Sequence, residues 1–191
     1  MLIYGDFDVS DFWRETDSAL NRYVGEPLTG ALLASIEEEL GYRLPKSYVE
    51  LMRVQNGGLS AKTIHRTDRH RVEVECIYGI NRSKRNSLGG IWTQRKAFTG
   101  RNPKTGEPIV VEAKTIRTGS TFWISEWGYP PVGVYFAETA SGGHDMIALD
   151  YRACGPLGEP QVVNVEQDGD ITDMAPNFEM FVRGLTYSQG R

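Results

Sequence analysis

Two periodicities divide the chain. Up to about residue 55 the apolar positions recur at helical spacing. Residues 11–23 place Phe12, Trp13, Ala19, Leu20 and Tyr23 on a short amphipathic helix. A clearer helix follows Gly30, with Ala31, Leu32, Leu33, Ile36 and Leu40 on one face. Thr29 is placed to cap its start, and Gly41 to end it in a left-handed conformation. Pro45 then opens a third helix with Tyr48, Leu51, Met52 and Val54 as its stripe. Asn56-Gly57-Gly58 stops it.

Beyond residue 60 the period shortens to two. Arg71 to Tyr78 alternates, and 92–98, 108–116 and 121–124 are further strand candidates. The best apolar strands are 132–137, 145–151 and 160–166. A closing helix over 176–185 carries Phe178, Phe181, Val182 and Leu185 on one face. Helices, then closely spaced strands, then a helix predict an α+β fold built on an antiparallel sheet.

The 191 residues are 40% hydrophobic and 10% aromatic, enough for one core. The formal charge of −4 hides a pattern. Residues 1–61 carry −5, residues 62–117 carry +8 and residues 118–191 carry −7. A uniformly basic nucleic-acid binder is excluded, and the middle third is set apart.

No run of about 18 apolar residues is present, so no membrane span is expected. The segment Met1 to Asp8 has acids where a secretory signal needs bases, which predicts a cytoplasmic chain. Cys76 and Cys154 are far apart in sequence and in no CxxC pattern, as expected of reduced, structural thiols.

Several segments together carry a family resemblance. They are Ile36-Glu-x-x-Leu40-Gly-x-x-Leu44-Pro45-x-x-Tyr48, Leu51, and Asn56-Gly57-Gly58. Glu126 to Ala137, Ser141-Gly-Gly-His144-Asp145 to Tyr151, Val162 to Glu166, and Phe178, Phe181 and Leu185 complete the pattern. In this order they resemble the SUKH superfamily of bacterial toxin-immunity proteins, which also includes a yeast cell-wall-synthesis regulator. The resemblance covers roughly 25–60 and 120–186, and 62–117 departs from it as a basic β insertion. It implies a single α+β domain over 1–191, with helices packed on a twisted antiparallel sheet. It also implies a non-enzymatic antidote, without cofactor, whose partner is a cognate protein toxin.

Read from their chemistry alone, the motifs leave alternatives open. Leu44, Pro45, Tyr48, Asn56, Gly57 and Gly58 suit a structural role. Asn56 could in addition fix the following loop. His144 and Asp145 follow two glycines. They suit loop hydrogen bonding or partner contact better than a catalytic triad or a metal site, because His65 and His70 fall in a different, basic region. Trp127 and Tyr129 belong to a Trp-Gly-Tyr-Pro-Pro turn, which either packs on the sheet or offers an aromatic anchor. Glu37, Glu38 and Glu39, with Asp168, Asp170 and Asp173, are solvated faces or carboxylates that steer a basic toxin groove.

The string Gly100-Arg-Asn-Pro-Lys-Thr-Gly-Glu107 predicts a β-hairpin with Pro and Gly at its tip. It is similar to the tip of the DNA-binding arm in the HU and integration-host-factor family. That similarity would give Arg101, Pro103 and Lys104 a minor-groove role. A single hairpin offers few phosphate contacts, so a solvated hairpin or one that docks an acidic surface fits at least as well.

Overall fold

A computed structural model describes residues 4–5, 9, 11–67, 70–95, 98–112 and 114–188. The N-terminal part holds α1 (Asp17–Tyr23), α2 (Gly30–Leu40) and α3 (Lys46–Val54), followed by β1 (Gly58–Leu59), β2 (Ile64–Arg66) and β3 (Arg71–Ile77). The middle holds β4 (Ile91–Arg95), β5 (Phe98–Arg101), β6 (Pro108–Val111) and β7 (Lys114–Arg117). The last part holds α4 (Ser120–Trp127), β8 (Gly133–Thr139), β9 (Asp145–Asp150), β10 (Gln161–Glu166), β11 (Ile171–Ala175) and α5 (Phe178–Gly184).

The capping signals act as their chemistry dictates. Thr29 Oγ1 accepts the Leu32 N–H at 3.2 Å, and Gly41 ends α2 at φ 74°. Pro45 stands at the N-cap of α3, where its missing N–H is no loss. Asn177 caps α5 by accepting the Met180 N–H at 2.9 Å.

The main sheet runs β1-β3-β8-β9-β10-β11, with β2 paired to β3. Every pairing in it is antiparallel. Val134 faces Leu149, and Leu149 faces Val162, so apolar side chains stack across the centre of the sheet. The rings of Tyr48, Phe136, Phe178 and Phe181 join α3 and α5 to it, with centroids 4.8–6.0 Å apart. The Tyr48 hydroxyl donates to the Tyr78 carbonyl, so the buried phenol is satisfied.

Two readings of the periodicity are corrected. The first helix begins at Asp17, because Thr16 caps it by accepting the Ala19 N–H at 3.3 Å. Phe12 and Trp13 precede it as a buried edge-to-face pair, and Trp13 bridges Ser60. Residues 121–124 form part of α4 and not a strand. The helix lies between Gly119 at φ 69° and Gly128 at φ 77°, and the rings of Trp123 and Trp127 pack one turn apart, inclined by 60°. β11 went unread because Ile171–Ala175 alternates poorly.

The basic stretch is not one appendage. β3 is an interior strand of the main sheet, and β4–β7 and β5–β6 form separate two-stranded ribbons. Glu39 on α2 accepts from Arg82 and Arg117, so this acid anchors the basic stretch instead of facing solvent freely. The paired guanidinium groups hold its carboxyl below its usual range. Cys76 is buried, Cys154 is exposed, and both are free thiols.

His65 is buried on β2 and stacks on Phe181 at 5.2 Å, with Nδ1 unpartnered. Burial pushes its pKa below 6.5. As pH falls through about 6.5 the unfolded chain takes up a proton that the native His65 resists, so stability falls toward acid. Thermal unfolding of His65→Phe at pH 7.5 and 5.5 should show a smaller acid-induced drop than the wild type. An equal drop would exclude His65 as the cause.

Candidate protein-binding surface

Five residues, Ala140 to His144, connect β8 to β9. Gly142 and Gly143 take φ of 73° and 101°, which a side chain would strain. Ser141 Oγ accepts the N–H groups of His144 at 3.1 Å and Asp145 at 3.0 Å. Thr139 Oγ1 donates to Asp145 Oδ1 at 2.8 Å. The Asp145 carboxylate therefore holds the turn, while the imidazole of His144 is exposed. This is the loop-bracing geometry.

Two neighbours fix the turn from outside. The Gln167 N–H donates to His144 O at 2.9 Å, which ties in the β10–β11 connection. The Tyr129 hydroxyl donates to Gly143 O at 2.8 Å. Tyr129 is only 1% exposed. It is a buried strut and not the surface anchor its sequence context allowed, and burial pushes its phenol upward. Trp127 remains 37% exposed at the end of α4, with its ring beside Gly143 and 5.3 Å from Trp123.

Asp168 and Asp170 are exposed on the β10–β11 connection. Asp168 shares a hollow with His144, Glu166 and Gln167. A second hollow, a groove of about 380 Å³, runs from His70 and Glu73 to His144, Asp145, Asn164 and Glu166. His70 and His144 thus border one groove, although the sequence placed them in different regions. Among the described residues no three His, Cys, Asp or Glu side chains are arranged to hold a metal.

Glu37 and Glu38 border neither hollow. Glu37 accepts the Leu44 N–H at 2.8 Å and braces the α2–α3 connection. Glu38 is exposed on α2, and Asp173 is exposed on β11. Arg101, Pro103 and Lys104 are exposed at the tip of the β5–β6 ribbon. Arg101 donates to Gly106 O at 2.9 Å, which turns its guanidinium onto its own hairpin.

Among the residues the sequence singled out, the structural motif is buried. Leu44, Tyr48 and Asn56 are at most 3% exposed. Gly57 at φ 91° passes so close to Gly79 that a Cβ would sit 2.6 Å from its nitrogen. Gly58, at φ 149°, opens β1. Pattern alone did not single out His70, Asn164 or Glu166. Asn164 and Glu166 lie in an apolar strand, and only pairing with β9 and β11 gives them a common site.

A model of the SMI1 / KNR4 family (SUKH-1) matches residues 27–184. The chain belongs to this family. The match runs from just before α2 through α5 and spans the basic stretch. Comparisons with curated proteins and with solved structures gave no match. No helix among the described residues is long and apolar enough to cross a membrane.

Proposed function

We propose that this SUKH-1 protein is a cytoplasmic, non-enzymatic immunity protein. It binds a cognate toxin stoichiometrically and blocks it, and the toxin acts on nucleic acid. The observation that carries this reading is the hydrogen-bonded end of the sheet. Backbone groups, Ser141, Thr139 and Tyr129 hold that end rigid, while Trp127, His144, Asp168 and Asp170 remain exposed. A preorganised patch loses little entropy on docking. An aromatic anchor beside carboxylates suits a partner with a basic substrate groove. A stable complex of this kind would bury on the order of 1,600 Å².

Co-expression with the toxin encoded beside this gene is the test. The wild type should restore growth and co-purify with the toxin at one to one. The double variant Asp168→Lys with Asp170→Lys should keep its fold and lose about tenfold in association rate at low salt. A neighbouring product that is not toxic, or one that kills despite wild-type protein, would end this reading.

A further inference from the structure

A pocket beside Trp127 is assembled from distant parts of the chain and has two unlike walls. It encloses about 270 Å³, roughly the room of nine liquid waters at ~30 Å³ each, which suits a single side chain. One wall is aromatic. Phe122 and Trp127 of α4 line it, with centroids 6.3 Å apart and ring planes inclined by 54°. The other wall is charged and balanced. It holds Arg22 from α1, Glu75 from β3, Arg85 from the β3–β4 connection and Glu138 from β8. Glu138 is the least exposed of the four. Its Oε1 accepts the Tyr78 hydroxyl at 2.6 Å and Asn86 Nδ2 at 2.8 Å, so the carboxylate is fixed before anything binds. Burial still pushes its pKa upward, as expected of a carboxylate with fewer donors around it than water would supply. Gly142 and Gly143 border the same pocket, which makes it continuous with the braced β8–β9 turn.

We propose that this pocket receives a tyrosine side chain of the partner protein, its ring against Phe122 and Trp127 and its hydroxyl donating to Glu138 and accepting from Arg85. Each other occupant leaves a charge unanswered. A lysine or arginine would meet Arg22 and Arg85, and a carboxylate would meet Glu75 and Glu138, like charge against like. A phenyl ring would cover the charged wall without replacing its water. An indole N–H only donates, so it offers Arg85 no acceptor. A phenol packs on the rings and both donates and accepts. Arg85 already interacts within the chain, and its five N–H donors let it take a further acceptor as well. That the tyrosine belongs to a toxin rests on the immunity reading. The chemistry of the pocket does not.

The test uses N-acetyl-tyrosinamide as the probe, with N-acetyl-phenylalaninamide and N-acetyl-argininamide as controls. Titration into the ¹⁵N-labelled full chain should move the Trp127 indole N–H and Gly143 amide signals in a saturable way, with a Kd of about 1 mM. Both controls should bind at least about fivefold more weakly. Trp127→Ala, read from the Gly143 amide, should keep the dispersed spectrum of a folded chain and weaken the probe by the same margin. Glu138→Gln keeps the shape and removes the charge, and it should do likewise. Should Glu138→Gln not fold, Trp127→Ala and the two controls decide. No saturable shift, or a control or folded variant that falls short of the margin, would overturn the proposal. The two readings fail separately. A chain that binds the probe but no toxin loses only the immunity reading, and one that binds toxin but not the probe loses only the pocket.

Discussion

Asn56→Ala is expected to lower the unfolding free energy by about 3 kcal/mol. The side chain is 2% exposed and joins three segments. Its Nδ2 donates to Glu26 O at 2.8 Å and Ile80 O at 3.0 Å, and its Oδ1 accepts the Ile80 N–H at 2.7 Å. Alanine would leave one buried N–H and two carbonyl groups without these partners, and each such loss typically costs about 1 kcal/mol or more. Asn56→Asp should be no better, because a carboxylate would face the same two carbonyls without a donor. Urea denaturation measures both variants. A loss under about 1 kcal/mol for Asn56→Ala would mean that water replaces the amide.

Phe178→Ala is expected to cost about 4 kcal/mol. The ring is fully buried, with centroids 4.8 Å from Tyr48, 5.3 Å from Phe136 and 6.0 Å from Phe181. Its removal opens a cavity where α5 meets α3 and the sheet, and three aromatic neighbours on separate elements have little freedom to close it. Met180, on the same helix but 50% exposed, supplies the control. Met180→Ala should change stability by no more than about 0.5 kcal/mol. Chemical denaturation of the pair separates core packing from general weakening of α5. Similar losses in the two variants would refute the packing account.

Elements fixed by local chemistry were legible in the sequence. Thr29 and Gly41 mark the ends of α2 through a cap and a positive φ, and Pro45 opens α3, which ends at an extended Gln55 just before Asn56-Gly57-Gly58. The β5–β6 hairpin follows from Asn102 to Gly106 in the same way: Asn102 O accepts the Gly106 N–H at 2.8 Å. Residues 121–124 misled because Thr, Phe, Trp and Ile suit a strand by composition. The helix there ends at Gly128 and packs Trp123 against Trp127. Phe12 and Trp13 fitted a helical stripe, yet their burial comes from β1 and from each other.

The surface was only half legible. His144 drew attention behind two glycines, Asp168 as one of a group of carboxylates, and Trp127 as an aromatic. That the His144 and Gln167 turns touch is a fact of strand order, since β9 and β10 are neighbours. The groove needed His70 from before β3 and Asn164 from β10, and no periodicity relates them. The charge blocks were real but misleading as boundaries. Glu39 in an acidic block holds Arg82 and Arg117 in the basic one, so the contrast partly records an internal contact.

The bracing of the β8–β9 turn separates two jobs along one short stretch of chain. Ser141, Thr139, Asp145 and Tyr129 hold the loop through their side chains. His144 and Gln167 join it through backbone groups alone. Any amino acid but proline can supply the Gln167 N–H, and any but proline the N–H and carbonyl of His144. The identities at 144, 167 and 168 can therefore be rewritten at little cost to folding. Sequence change at these positions alters the exposed surface while the scaffold is inherited intact.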